Sequence, residues 1–284
     1  MAEEQLPEAP EPKLRIYFLP NLFTAANLFC GFVALTKIVG AEIGTDVLNP
    51  DFTQIKIALG FILLACIFDL FDGRIARMAG VESPFGREFD SLADLVSFGV
   101  APAFLVHRVV LRDVFINHPE WGWFISSLYL LAGAFRLARF NCLATMAGSG
   151  GGKEFLGFPI PAAAGLVSSL TYLMIHLDEH GNAPPKWRFA LPVVLLFLSA
   201  MMISTVKYPT FKRFDLKATG TFWKTIMGAV FIGSVVVLRE RVLYIVLPLL
   251  FTAYLLYGFI RPYISRKMQR EIEEDEDTQE SDDP

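Results

Sequence analysis

Apolar residues run along this chain in blocks of about twenty, separated by short polar connections, from position 20 to position 262. Each block is long enough to cross a hydrocarbon layer of about 30 Å as a helix. The pattern predicts about eight spans, near 20–39, 54–77, 88–111, 121–144, 158–177, 188–206, 220–238 and 243–262. The expected fold class is an all-α polytopic membrane protein, a bundle of about eight transmembrane helices. A basic and aromatic stretch, KLRIYFLP at 13–20, suits an interfacial segment against lipid head groups. Residues 1–12 are acidic and Pro-rich, without the basic n-region or cleavage site of a signal peptide. Residues 266–284 run from basic to strongly acidic. Both ends predict disordered tails around one transmembrane domain at 13–265.

Composition agrees with that domain. Of 284 residues, 54% are hydrophobic and 19% charged, where a soluble domain carries about 25% charge. The formal net charge of −4 arises largely in the two tails and says nothing about partners of the membrane core; no nucleic-acid partner is expected. Cys30, Cys66 and Cys142 sit singly in or beside apolar segments, as small hydrophobes do. His107, His118, His176 and His180 are scattered, with no zinc-ligand spacing. Lys37, Lys56, Arg108, Arg112, Lys186, Arg188, Arg239 and Arg241 flank the connections opposite the N-terminus, and the other basic residues lie on the N-terminal side. The positive-inside rule then puts both termini, and the aspartate stretch described next, on the cytoplasmic side, and an even number of spans agrees with both termini sharing a side.

Four aspartates interrupt this pattern. Positions 69, 72, 73, 76 and 77 (DLFDGRIAR) form one stripe of a helix, and positions 86, 90 and 94 (GREFDSLAD) form a stripe of the next. Gly80 ends the first helix; Ser83 and Pro84 read as N-cap and first-turn proline of the second. Helices joined by so short a turn are neighbours, so the stripes can face each other. An ionised Asp at membrane depth costs about 2.5–3.5 kcal/mol. Four cost on the order of 10 kcal/mol, as much as a whole domain's net stability. Pairing with Arg74, Arg77 and Arg87 would offset any one of them. Two hard divalent cations, such as Mg²⁺, Mn²⁺ or Ca²⁺, would offset all four. Gly73, Ala76 and Gly86 leave room for a ligand, and a pair of divalent ions is a device for handling phosphates.

The run Asp69-x-x-Asp72-Gly73-x-x-Ala76-Arg77, eight residues, then Gly86-x-x-x-Asp90-x-x-x-Asp94 resembles the signature of the CDP-alcohol phosphotransferases. LPNLFTAANLFCGF (19–32), DSLADLVSFGVAPA (90–103), GAFRLARFN (133–141) and FLGFPIPAAA (155–164) resemble one branch, the membrane-embedded phosphatidylserine synthases. Ser91 after Asp90, where the phosphatidylglycerophosphate synthases usually have proline, favours that branch. The resemblance implies a six-helix catalytic core at about 14–206, with extra spans at about 220–262 outside it. It implies transfer of a phosphatidyl group from CDP-diacylglycerol to L-serine, releasing CMP. Asp69, Asp72, Asp90 and Asp94 would hold two divalent ions, with Asp94 the catalytic base. Gly73, Ala76, Arg77 and Gly86 would surround the CDP moiety. It further implies a homodimer in a bacterial inner membrane, with its site facing the cytoplasm.

Other polar positions stay open. Asn21, Thr24 and Asn27 on the first span would contact the nucleotide by the resemblance, and equally suit helix caps or interhelical hydrogen bonds. Arg136 and Arg139 (FRLARF) either snorkel to the interface or, with Asn141, bind the serine carboxylate or a phosphate. LGFPIPAAAG (156–165) reads as a helix kink or a close helix contact. KYPTFKRFDLK (207–217) is a basic loop suited to topology and head-group attraction, or to a lipid phosphate. The alternatives within the class are another acceptor alcohol or an archaeal ether-lipid donor. Outside it, carboxylates within a bundle also suit a divalent-cation transporter, and a non-catalytic lipid-binding scaffold is the third reading.

Overall fold

The computed structural model describes residues 18–41, 51–79, 83–146, 154–180, 187–209 and 245–258. In these, α1 is Phe18–Val39, α2 is Thr53–Ala79 and α3 is Pro84–Val114. Next come α4, Pro119–Met146; β1, Glu154–Leu156; and α5, Ile160–Glu179. A 3-10 turn at Trp187–Phe189 leads into α6, Ala190–Ile203, then β2, Lys207–Pro209; α7 is Leu247–Gly258. The described residues are all-helical apart from this two-stranded ribbon, where Glu154 pairs with Pro209, Phe155 with Tyr208 and Leu156 with Lys207.

Stretches of α1, α2, α3 and α5 are long and apolar enough to cross a membrane, and α6 and α7 are shorter apolar helices. The 28-residue α4 has the length, but Trp121, Trp123, two serines and two arginines dilute its apolar run. Helices of this length and composition mark an integral membrane protein. The span expected at 220–238 and both tails lie outside the described residues, as do positions 13–17 of the interfacial stretch.

Local chemistry explains most boundaries. Asp51 caps α2 by accepting the Thr53 amide at 2.8 Å, and its hydrogen bonds with Thr53 hold its carboxyl below the usual carboxylate range. Ser83 has extended backbone and accepts the Gly86 amide at 3.0 Å, with Pro84 at the first position of α3, as the sequence predicts. The prolines of 156–165 do not kink a helix. Pro159 is the N-cap of α5 and Pro161 lies in its first turn, where a missing N–H is harmless. Within α3 the pitch widens to π-helix at Leu95–Val100 and again at His107–Leu111. Pro102 has no N–H to offer the Phe98 carbonyl, and the buried Tyr129 hydroxyl of α4 donates to that oxygen at 3.1 Å.

α1 packs along α2 and against α3, and α4 packs against α6. At Gly31 the approach of α1 to α3 is so near that a Cβ would overlap Ser97. One end of the bundle is tied by Lys56 to Glu179 (2.7 Å) and by Arg188 to Asp113 and Asp178 (3.3 and 3.0 Å). The N-terminal halves of α1, α3 and α5 meet the C-terminal halves of α2, α4 and α6 at the other end. There the aspartates gather.

Candidate active site

Asp69 and Asp72 project from the C-terminal half of α2, and Asp90 and Asp94 from the first turns of α3. Carboxylate oxygens of Asp69, Asp72 and Asp90 lie within 4.8 Å of one another. Asp94 stands beside this group, within electrostatic reach of all three carboxylates. Asp72 and Asp94 are buried, at 4% and 6% exposure. Like charges so near in a dry setting repel, and an all-oxygen acidic set suits a hard divalent ion. The donor set therefore fits the cations expected from the sequence.

The first helix holds two of the carboxylates. Thr24 donates to Asp72 at 3.1 Å, and Asn27 donates through Nδ2 to Asp94 at 3.0 Å. Both residues are buried, and the Asn27 backbone is fixed in turn by Ser97, whose hydroxyl donates to its carbonyl at 2.9 Å. So Thr24 and Asn27 make interhelical hydrogen bonds to site carboxylates. Asn21 is placed differently: its Nδ2 is buried without a hydrogen-bond partner, and its Oδ1 lies 3.4 Å from where a Cβ on Gly86 would sit. A Cβ on Gly86 would make only ordinary contact with Asn21 but would crowd, at 3.2 Å, the Ser83 hydroxyl that caps α3. Gly73, Ala76 and Arg77 lie on the last turns of α2, and their side chains fall outside the described residues.

The two arginines of α4 have separate surroundings. Arg139 donates to the carbonyls of Ile203, Met202 and Ser204 at 2.7, 3.3 and 3.1 Å, closing the C-terminus of α6. Gly157, with φ of +81°, passes beside this clamp, where a Cβ would overlap the Met202 carbonyl. The backbone continues the clamp, with Gly157 N–H to the Val206 carbonyl and Phe158 N–H to the Met201 carbonyl. Arg136, one turn earlier, is 7% exposed, its Nε is buried without a hydrogen-bond partner, and its charged neighbours include Asp94 and Asp69. Asn141 donates to Ser91 at 3.0 Å and to Glu88 at 3.3 Å, joining α4 to α3, and leaves its buried Oδ1 unpartnered.

Sequence reasoning does not single out Ser97, although it continues the stripe 86, 90, 94 by one turn. Nor does it single out Tyr129, whose task shows only once Pro102 is seen to leave a carbonyl short. The arrangement can hold divalent cations at a partly buried group of carboxylates, keep a buried carboxylate, Asp94, at their side, and present a guanidinium to an anion nearby.

The family model for CDP-alcohol phosphatidyltransferase matches residues 17–206. The chain is 33% identical over 253 residues to a CDP-diacylglycerol–serine O-phosphatidyltransferase of Helicobacter pylori, covering 87% of this chain and 91% of that protein. It is 31% identical over 198 residues to the Bacillus subtilis protein of the same name, covering 69% of this chain and 92% of that one. An archaetidylserine synthase of Methanothermobacter thermautotrophicus is 33% identical over 193 residues, 67% of this chain and 69% of that protein.

Proposed function

The chain belongs to the CDP-alcohol phosphatidyltransferase family, and we propose that it is a CDP-diacylglycerol–serine O-phosphatidyltransferase, making phosphatidylserine and CMP. The observation that carries this reading is the juxtaposition of three clustered carboxylates, a buried fourth beside them, and a buried arginine with an unpartnered Nε. Relatives named for the same reaction in Helicobacter and Bacillus support serine as the acceptor.

In this reading Asp69, Asp72, Asp90 and Asp94 hold two divalent cations, Mg²⁺ or Mn²⁺. When bound, these supply positive charge against the donor's diphosphate and lower the pKa of a nearby hydroxyl. Asp94, oriented by Asn27, accepts the proton of the serine hydroxyl. The serine oxygen then forms its bond to the phosphorus that carries the diacylglycerol, and the bond from that phosphorus to the CMP oxygen breaks. Such a displacement needs alignment and charge neutralisation more than covalent help. Gly73, Ala76, Arg77, Gly86 and Asn21 line the CDP moiety; Thr24 and Asn27 act there through the carboxylates they hold. Arg136 binds the serine carboxylate, where guanidinium suits two parallel hydrogen bonds. Arg139, bound to the end of α6, and Asn141, bound to α3, support that contact from α4.

The finer architecture is part of the same reading. A six-helix catalytic core at about 14–206 is followed by two spans at about 220–262, giving about eight. Charged tails occupy 1–12 and 266–284. The enzyme is a homodimer in a bacterial inner membrane, with its site facing the cytoplasm. CMP release from CDP-diacylglycerol, followed with L-serine, glycerol phosphate, inositol phosphate and choline, tests the assignment. Release is expected with serine and a divalent cation. Release with another acceptor but not with serine would overturn it.

A further inference from the structure

The π-helical turn Leu95–Val100 of α3 begins at the residue after Asp94, and two helices hold it from different sides. From α1, the Asn27 carbonyl accepts the Ser97 hydroxyl at 2.9 Å, while the Asn27 side chain donates to Asp94 at 3.0 Å. Gly31 brings α1 in so close that the Ser97 Cα lies 2.8 Å from where a Cβ would stand. From α4, the Tyr129 hydroxyl donates to the Phe98 carbonyl at 3.1 Å. Beside it, Leu130 comes within 3.1 Å of the place of a Cβ on Gly99. Tyr129, Phe98, Ser97 and Asn27 are all fully buried, so water does not replace any of these bonds.

We propose that Tyr129 is a positioning residue for Asp94, acting from α4 through Phe98, Ser97 and Asn27. The inference rests on the reading of Asp94 as the base. Pro102 cannot supply the helical donor for the Phe98 carbonyl, and the Tyr129 hydroxyl takes that place. This fixes the direction of the carbonyl and with it the roll of the widened turn. Ser97 directly precedes Phe98, so the same roll brings its hydroxyl to the Asn27 carbonyl. A carboxylate oxygen only accepts, so the bond to Asp94 in turn fixes which way the Asn27 amide points. Without the Tyr129 hydroxyl, the buried carbonyl turns toward another donor and carries Ser97 with it. Asn27 then no longer aims the carboxylate, and a base out of line transfers a proton slowly. Widened turns within α-helices recur at functional sites, and this one adjoins the base.

The test uses the full chain and CMP release, well below the melting temperature of each variant. Tyr129→Phe keeps the ring and removes only the hydroxyl. It is expected to lower kcat about five- to twentyfold, leaving the KM for CDP-diacylglycerol and for L-serine within about twofold. Added to Asp94→Asn, or to Asn27→Ala, it is expected to lower kcat no further, because Tyr129 acts through them. The same loss of kcat in the Asp94→Asn background would make Tyr129 a packing residue and overturn the proposal. So would a kcat within about twofold of the wild type. If Tyr129→Phe does not fold, Ser97→Ala breaks the next bond of the chain and must show the same loss; an unchanged kcat there overturns the proposal. If Asp94→Asn lowers turnover and Tyr129→Phe does not, this inference fails while the reading of the base stands. If Asp94→Asn keeps full turnover, both fail.

Discussion

Asp94 receives one hydrogen bond, from Asn27, and lies among the charges of Asp69, Asp90 and Asp72 in a buried setting. A base needs its negative charge; a membrane bundle without cations is strained by it. Asp94→Asn separates these two demands, since shape is kept and one charge removed. Its kcat is expected to fall by about 10²–10⁴ with the KM for CDP-diacylglycerol nearly unchanged. In chelator the same variant should melt above the wild type, because one repulsive charge is gone. The wild type should melt lower in chelator than with Mg²⁺ or Mn²⁺, by mass action on the folded state. Thermal melts and CMP release check all of this, and a melting temperature indifferent to chelator would count against the cations. The aspartates are legible in the sequence because carboxylates repeated at i, i+3 and i, i+4 within apolar runs are costly unless something binds them. The tasks of Thr24 and Asn27 are not, since their partners lie 48 and 67 positions away. Arg136 and Arg139 look alike in sequence; only the C-terminus of α6, more than sixty positions on, tells them apart.

At the scale of elements, the site depends on how near α1 comes to α3. Gly31 and Ser97 set that distance, and two turns of contact connect them to the Asn27–Asp94 hydrogen bond. Gly31→Ala puts a methyl group against both the hydroxyl and the Cα of Ser97, the latter 2.8 Å away. Overpacking of this kind costs about 1–3 kcal/mol, so the melting temperature should drop by several degrees. Turnover should fall with it, as Asn27 is drawn off Asp94. Ser97→Ala is not expected to rescue the variant, because the clash with the backbone remains; full rescue would show that the hydroxyl alone sets the approach. Helix positions are readable from apolar runs, since crossing a hydrocarbon layer fixes length and composition together. The ribbon is not, because three-residue strands carry too little periodicity to register. The π-helical stretches of α3 escape as well: the first adjoins Pro102, but how the Phe98 carbonyl is satisfied there shows only with Tyr129 of α4 in place.

For the whole molecule, the remaining question is which face of the membrane the carboxylates serve. All site residues described lie at one end of the bundle, and the ion pairs of Lys56 and Arg188 lie at the other. Topology follows the number of Lys and Arg near the span ends, not net charge, so pairing with Glu179, Asp113 and Asp178 does not remove those two from the count. Even with them, the expected spans would leave eight of the 25 basic residues at the far end and the rest on the site's side. By the positive-inside rule that bias supports the proposed orientation, with the site toward the cytoplasm. Two exposed positions report on the two ends: Met146 at the end of α4, 84% exposed, and Ile116 between α3 and α4, 76% exposed. With the exposed Cys142 replaced by serine, Ile116→Cys should react with a membrane-impermeant maleimide in intact cells. Met146→Cys should react only after permeabilisation, and inverted vesicles should reverse the pattern. The opposite result would turn the bundle over, leaving Asp94 and its neighbours facing a compartment without a supply of nucleotide-activated lipid.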